Sequence, residues 1–128
     1  MKKLSFIIVF FIVMAGAIVC AHAESVTESI DAENTFTDSI APANEDYNKD
    51  KNRADLGFIN IGVSGTGWSA TVTLQKKCPE DAGWGRTVAT FTANIETTAI
   101  DYEPGVLYRI GVATGDYGFG TVDVRLGN

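Results

Sequence analysis

Hydrophobic and polar residues alternate along the second half of the chain with a period of two, which is typical of half-buried β-strands. In the stretch 68–75, one face carries only apolar side chains and the other carries serine, threonine and glutamine. The apolar face consists of Trp68, Ala70, Val72 and Leu74. The pattern predicts further strands over 35–41, 56–63, 87–93, 97–102, 106–113 and 121–126.

Turn-forming residues separate these segments, and no window after residue 23 has a helical period. Glycine or proline occurs in each predicted turn, at 64–67, 80–83, 103–105 and 114–118. About seven short strands with such spacing favour an all-β fold, an antiparallel β-sandwich of the immunoglobulin or fibronectin-III type. A small barrel is the alternative.

Tyr108 follows a Pro-Gly turn in the way that a tyrosine corner does in immunoglobulin-like folds, where the hydroxyl binds upstream backbone. The alternative is an ordinary strand tyrosine, with its ring in the core and its hydroxyl at the edge.

The N-terminus has the pattern of a signal peptide. Lys2 and Lys3 precede an apolar run over 4–20, and Ala21 and Ala23 fit the small-residue rule for cleavage after residue 23. We therefore expect a periplasmic, cell-surface or extracellular protein that is not membrane-bound after cleavage. An uncleaved anchor is the alternative, and Val19 before Cys20 argues against lipid attachment.

Removal of residues 1–23 changes the chemistry that the chain can offer. The segment carries two lysines and no acidic residue, so the net charge moves from −6 to −8, which disfavours nucleic-acid partners. Cys20 and the single histidine, His22, leave with it. Ser-His-Asp and Cys-His catalysis, histidine-bound zinc and an intrachain disulfide are then excluded within one chain. We expect no enzyme activity, no catalytic residue and no cofactor.

The remaining cysteine, Cys78, follows Lys76 and Lys77, and such basic neighbours can lower the pKa of a thiol. The alternatives are an unreactive thiol in a hairpin loop and an intermolecular disulfide.

Composition divides the exported chain at residue 56. The segment 24–55 has nine acidic residues, three basic residues and no glycine, whereas 56–128 holds both tryptophans and every glycine after residue 23. We predict an acidic N-terminal arm and loop with a first strand at 35–41, followed by the sandwich core. The arm is expected to pair with a neighbouring subunit as an added strand.

One motif resembles a metal site. Asp46, Asn48 and Asp50 match the first half of a calcium loop, but Lys51 stands where the loop needs glycine and Gly57 where it needs glutamate. We therefore predict no metal site.

Aromatic residues in glycine-rich loops are the candidate binding residues. Trp84, Tyr117 and Phe119 lie in such loops, where they would stack on a sugar or anchor a protein partner. The alternative is local packing at one end of the sandwich. The carboxylates of Glu96, Asp101 and Glu103 lie near one another in the sequence and are the candidates for acid/base chemistry, but as turn and strand-edge residues they are expected to face solvent.

Three segments carry a resemblance to a known family: SGTGWSATVTLQKK, GWGRTVATFTANIET and EPGVLYRIGVATGDYGFGTVDVRLGN. They resemble small β-sandwich accessory and virion-associated proteins of tailed bacteriophages and prophages, over about 34–41 and 56–128. The resemblance implies a structural role without catalytic residues. The export signal and the charged insertion at 44–55 depart from that pattern.

Together these observations predict an exported, non-enzymatic structural or interaction module that acts by protein binding or self-association. The alternatives are a small carbohydrate-binding or adhesion module that uses Trp84, Tyr117 and Phe119, and a hydrolase.

Overall fold

The computed structural model describes residues 24–44, 57–101 and 103–128, and these form strands and turns without a helix. The strands are β1 Ser25–Ile30, β2 Thr35–Phe36, β3 Ala43–Asn44, β4 Gly57–Ser64, β5 Ser69–Lys77, β6 Arg86–Phe91, β7 Ile95–Asp101, β8 Leu107–Phe119 and β9 Val122–Gly127. In the described part of the chain, no helix is long and apolar enough to cross a membrane. The signal-peptide and calcium-loop segments lie outside the described residues.

The strands form two antiparallel sheets. The front sheet has the order β1-β9-β4-β7, with the short β3 also paired to β4, and the back sheet has the order β2-β8-β5-β6. The pairing is nested along the chain: β1 pairs with β9, β2 with β8, β4 with β7 and β5 with β6. A long hairpin rolled up on itself gives this order, which is the architecture of a jelly roll.

The predicted antiparallel β-sandwich is confirmed. Two separate sheets are present, so the barrel alternative does not apply. The strand order, however, differs from that of the predicted immunoglobulin-like subtype, in which the last two strands lie in one sheet. Here β9 lies in the front sheet between β1 and β4, whereas β8 lies in the back sheet.

The acidic segment 24–44 belongs to the sandwich. β1 pairs with β9 along all six of its residues, from Ser25 opposite Gly127 to Ile30 opposite Val122. Ile30 and Ile40 are fully buried in the core. Within the predicted strand 35–41, only Thr35–Phe36 is a strand, and Ile40 adds an isolated bridge to Tyr108. In this structure β1 thus pairs within its own chain, and the sandwich begins at Ser25.

The core lies between the sheets and follows the predicted alternation, except that Thr73 on the predicted polar face of β5 is buried as well. On β9, Val122, Val124 and Leu126 are buried, whereas Asp123 and Arg125 face solvent. On β5, Val72 and Leu74 are buried, and Trp68 just before the strand packs against the core from its rim. The remaining apolar core residues are Ile30, Ile40, Ile59, Ile61, Val63, Cys78, Val106, Tyr108, Ile110 and Val112.

The predicted turn at 114–118 is a bulge inside β8. Pairing with β5 passes from Val72 opposite Val112 directly to Ala70 opposite Tyr117. The intervening residues of β8 therefore leave the ladder, and Gly115 takes a φ of 86°, which glycine adopts without strain. The bulge is held by the Gly115 N–H, which donates to Glu33 Oε2 at 2.6 Å.

Candidate functional site

Trp84 lies in the loop between β5 and β6, where its ring stacks on a guanidinium. The Arg109 Cζ lies 4.6 Å from the ring centroid. Asp81 holds the loop in place, because its carboxylate accepts hydrogen bonds from the Cys78 N–H at 2.8 Å and from Arg86 Nη2 at 2.9 Å. Trp84 is half-buried, and by stacking on Arg109 it covers part of the outer face of the back sheet.

Phe36 of β2 supplies a second ring to the same guanidinium, with its centroid 4.1 Å from Arg109 Cζ. Gly111 makes this placement possible. A Cβ at this position would lie 2.2 Å from the Thr35 carbonyl oxygen and 2.6 Å from the Phe36 ring. Any larger residue would push the ring away from the sheet.

Arg109 is oriented by both rings and by Gln75, its partner across the β5–β8 ladder. The Arg109 Nε–H donates to Gln75 Oε1 at 2.9 Å. Because the guanidinium is partly withdrawn from water, burial lowers the pKa of Arg109. We call Phe36, Gln75, Trp84 and Arg109 the stacked arginine site.

The structure does not bring the three predicted aromatic residues together. The Tyr117 hydroxyl donates to the Gly120 carbonyl at 2.8 Å, and its ring packs against the core. Phe119 is 63% exposed and pairs with Ser69. Because Ser69 and Gln75 lie six residues apart on β5, Phe119 is about 20 Å from the stacked arginine site. Of the three residues, Trp84 alone belongs to that site.

A second group of polar side chains closes one end of the core. Lys76 Nζ lies 2.6 Å from both Asp101 Oδ2 and Glu103 Oε2. The Tyr108 hydroxyl donates to the same carboxylate oxygen of Asp101. We call Lys76, Asp101, Glu103 and Tyr108 the end cluster. It joins β5 and β8 of the back sheet to β7 of the front sheet.

The pKa shifts in the end cluster follow from these contacts. Burial by itself lowers the pKa of Lys76, but its hydrogen bonds to Asp101 and Glu103 outweigh burial and raise that pKa. Burial raises the pKa of Asp101, but hydrogen bonds from Lys76 and Tyr108 outweigh it, and the net pKa is lowered. The pKa of Tyr108 is raised by burial and by Asp101. The cluster is therefore a stable ion pair at neutral pH.

The contacts of Tyr108 correct the tyrosine-corner prediction. Its ring is buried in the core, and its hydroxyl binds the side-chain carboxylate of Asp101, seven residues upstream, rather than the backbone. Asp101 is mostly buried for the same reason, although it was expected to face solvent.

Cys78 is 3% exposed, and its Sγ lies 3.5 Å from Glu103 Oε2. Burial, followed by the hydrogen bond to Glu103, raises the pKa of the thiol. Of the alternatives open for Cys78, a thiol with a pKa lowered by its basic neighbours is therefore excluded, because desolvation outweighs their charges. A buried thiol is also poorly placed for an intermolecular disulfide.

A polar groove of about 380 Å³ crosses the outer face of the front sheet. Arg125 Nη2 and Glu96 Oε2 pair at 2.7 Å across Gly62, where a Cβ would lie 2.6 Å from the glutamate. The remaining lining residues are Thr27, Glu28, Ser29, Ser64, Asp123 and Val124. Among the residues that the structure describes, no three His, Cys, Asp or Glu side chains are grouped to hold a metal ion.

Comparison of the chain with protein-family models, with curated proteins and with solved structures finds no match. Sequence reasoning missed Phe36, Gln75 and Arg109, because their contacts join strands that are far apart in the chain. The one available signal was the outward position of Arg109 in an otherwise apolar strand.

Proposed function

We propose that this chain is an exported, non-enzymatic structural module that acts by protein binding, and that its first partner is a second copy of itself. The predicted N-terminal export signal and the resemblance of three segments to accessory proteins of tailed phages support this proposal. The single observation that carries it is the exposed edge of β7.

β7 is an edge strand that lacks the usual protection against pairing. It is seven residues long, contains no lysine and no proline, and pairs with β4 but with no other strand of the described residues. Ile95 is 38% exposed and Ile100 is 61% exposed. Natural proteins usually block such edges with charges, especially lysine, or with proline or bulges. The two acidic side chains of β7, Glu96 and Asp101, are already paired with Arg125 and Lys76, so this edge remains open to strand addition.

The sequence of β7 is compatible with antiparallel pairing to a copy of itself. When the two-fold axis passes through Thr98, Glu96 lies opposite Ile100 of the second copy, and Asp101 lies opposite Ile95. No two like charges then face each other across the pair, although the protein as a whole is acidic. The front sheets of two copies would become one continuous sheet.

Sedimentation velocity at high protein concentration tests the proposal. We expect the wild-type protein to dimerise. Ile100→Glu places two glutamates opposite each other twice in the dimer, so it should weaken dimerisation by roughly twofold to thirtyfold. Ile100→Lys places lysine opposite Glu96 and should preserve or strengthen the dimer.

Val88→Glu is the matched control, because Val88 is 47% exposed on β6, the edge strand of the other sheet. This variant should dimerise like the wild type. A wild-type protein that stays monomeric up to about 1 mM would overturn the proposal. Equal dimerisation by the glutamate and lysine variants of Ile100 would overturn the register.

The polar groove favours carbohydrate binding as the second candidate function. Hydroxyl, carboxylate and guanidinium groups line it, and these are suited to bind sugar hydroxyls. A glycan array with wild-type protein and Glu96→Gln tests this function. Binding that is lost in the variant would support it, and the absence of any signal would contradict it.

A further inference from the structure

Two cations on the outer face of the back sheet have no carboxylate partner among the described residues. That part of the chain contains five lysines and arginines, and Lys76, Arg86 and Arg125 each form ion pairs. The other two are Lys77 and Arg109. An acidic protein has many carboxylates to offer, so two unpaired cations on one face indicate a site for an external anion.

Lys77 and Arg109 are neighbours on that face. In the β5–β8 ladder, Gln75 lies opposite Arg109 and Lys77 lies opposite Leu107. Lys77 is therefore diagonal to Arg109, at about 7–8 Å between backbone positions. Both side chains are half-buried.

The stacking of Phe36 and Trp84 on Arg109 leaves the two terminal nitrogens of its guanidinium free. The rings of Phe36 and Trp84 cover the guanidinium, and Gln75 occupies Nε. Neither terminal nitrogen makes a hydrogen bond within the described residues. These two parallel donors match the two oxygens of a carboxylate, and a partly desolvated guanidinium binds such a group more strongly than an exposed one.

We infer that the stacked arginine site, together with Lys77, binds an extended acidic peptide segment that carries two carboxylate side chains at alternate positions. Alternate residues of an extended strand lie about 7 Å apart on one face, which matches the separation of Lys77 and Arg109. One carboxylate enters between the rings to meet Arg109, and the next meets Lys77.

The ring distances favour a peptide over an acidic sugar. Both centroids lie within 4.6 Å of Cζ, close to van der Waals contact, so the space beside the guanidinium admits a slender group. A Glu or Asp side chain reaches its carboxylate through methylene groups, whereas a uronic acid carries it directly on a bulky ring. This inference concerns the back sheet and does not depend on dimerisation through β7.

The test is an NMR titration of the purified protein with the capped peptide Ala-Glu-Thr-Glu-Ala, observed at the Trp84 indole and the Arg109 Nε–H signals. The matched probes are the peptide in which both glutamates are glutamine and trigalacturonate. We expect the diglutamate peptide to bind at least about tenfold more tightly than the glutamine peptide.

Variants of Arg109 and Lys77 separate the contributions of the two cations to peptide binding. Arg109→Gln and Arg109→Lys should each weaken binding of the diglutamate peptide about tenfold, since lysine keeps the charge but lacks the paired donors. Lys77→Gln leaves the stack intact and should weaken this peptide several-fold, but not a peptide with one glutamate. Arg125→Gln, on the front sheet, should bind like the wild type.

Equal binding of the glutamate and glutamine peptides would overturn the inference, as would unchanged binding by the Arg109 and Lys77 variants. Binding of trigalacturonate without binding of the peptide would assign the site to an acidic sugar instead.

Discussion

The Lys76 ammonium and the Asp101 carboxylate lie 2.6 Å apart at one end of the core, and this ion pair joins the two sheets. Both side chains are mostly withdrawn from solvent. Tyr108 also donates to this carboxylate from the core side. Because the pair spans strands from both sheets, its state of protonation affects the stability of the whole sandwich.

The free energy of unfolding should therefore fall in acid. The folded-state pKa of Asp101 is lowered, so its stabilising contribution is present above the unfolded pKa of about 3.9 and is lost as pH falls through the folded pKa. The folded-state pKa of Lys76 is raised, so its stabilising contribution is present below the unfolded pKa of about 10. That contribution is lost as pH rises through the folded pKa. Urea unfolding between about pH 2 and pH 7 measures the fall in the free energy of unfolding in acid.

Asp101→Asn is the control for this prediction. It should be less stable than the wild type at neutral pH, and the difference between the two proteins should shrink as the pH falls. A difference that is constant with pH would show that Asp101 is not the titrating group.

Gly111→Ala should destabilise the protein by about 1–3 kcal/mol, because the new methyl group would lie 2.2 Å from the Thr35 carbonyl oxygen. Urea unfolding measures this change. Gly83→Ala is the matched control, since a Cβ at Gly83 meets nothing within 4 Å. The Gly111 variant should also shift the Arg109 Nε–H resonance, because the Phe36 ring has to move. A loss no larger than that of the control would contradict the close packing of β2 on β8.

Ile30→Ala should cost about 2–5 kcal/mol of stability, since Ile30 at the end of β1 is fully buried. Its loss would leave a cavity between the two sheets. Val26→Ala, on the same strand but only partly buried, should cost less. Denaturant midpoints compare the two variants. If Ile30→Ala were as stable as the wild type, β1 would not be part of the core.

Cys78 should react slowly with a thiol reagent at neutral pH while the protein is folded. Its side chain is buried and its pKa is raised, and both effects reduce the accessible thiolate. Addition of urea beyond the unfolding midpoint should restore the reaction rate of an ordinary thiol. Fast reaction of the folded protein would show that the loop at 78–85 opens readily.

Much of the secondary structure was predictable from local patterns. The alternation on β9 correctly assigned the buried and exposed faces, because each strand presents successive side chains to opposite sides. On β5 it correctly placed Val72 and Leu74 in the core, but Thr73 of the predicted polar face is also buried. The same rule failed at 114–118, where glycine residues predicted a turn and the chain formed a bulge within β8. Turn-forming residues do not show whether the strand ends there or continues to pair after a β-bulge.

Local sequence patterns predicted much less of the stacked arginine site. Trp84 was recognised as a loop aromatic, but its partner Arg109 is 25 positions away in the chain, and Phe36 lies further still. No spacing rule connects three residues on β2, β8 and the β5–β6 loop. Their meeting depends on the nested pairing of the strands.

The sequence by itself determined that the described chain is built of strands, which face of most strands is apolar, and where most turns lie. The tertiary structure decided the order of the strands, the inclusion of β1 in the core, the burial of Cys78 and the stacking on Arg109. The physical reason is that a period-two pattern specifies which face of a strand is buried but not which strand lies beside it. Partners are chosen by long-range packing, and in this fold they join residues as distant as Ser25 and Gly127.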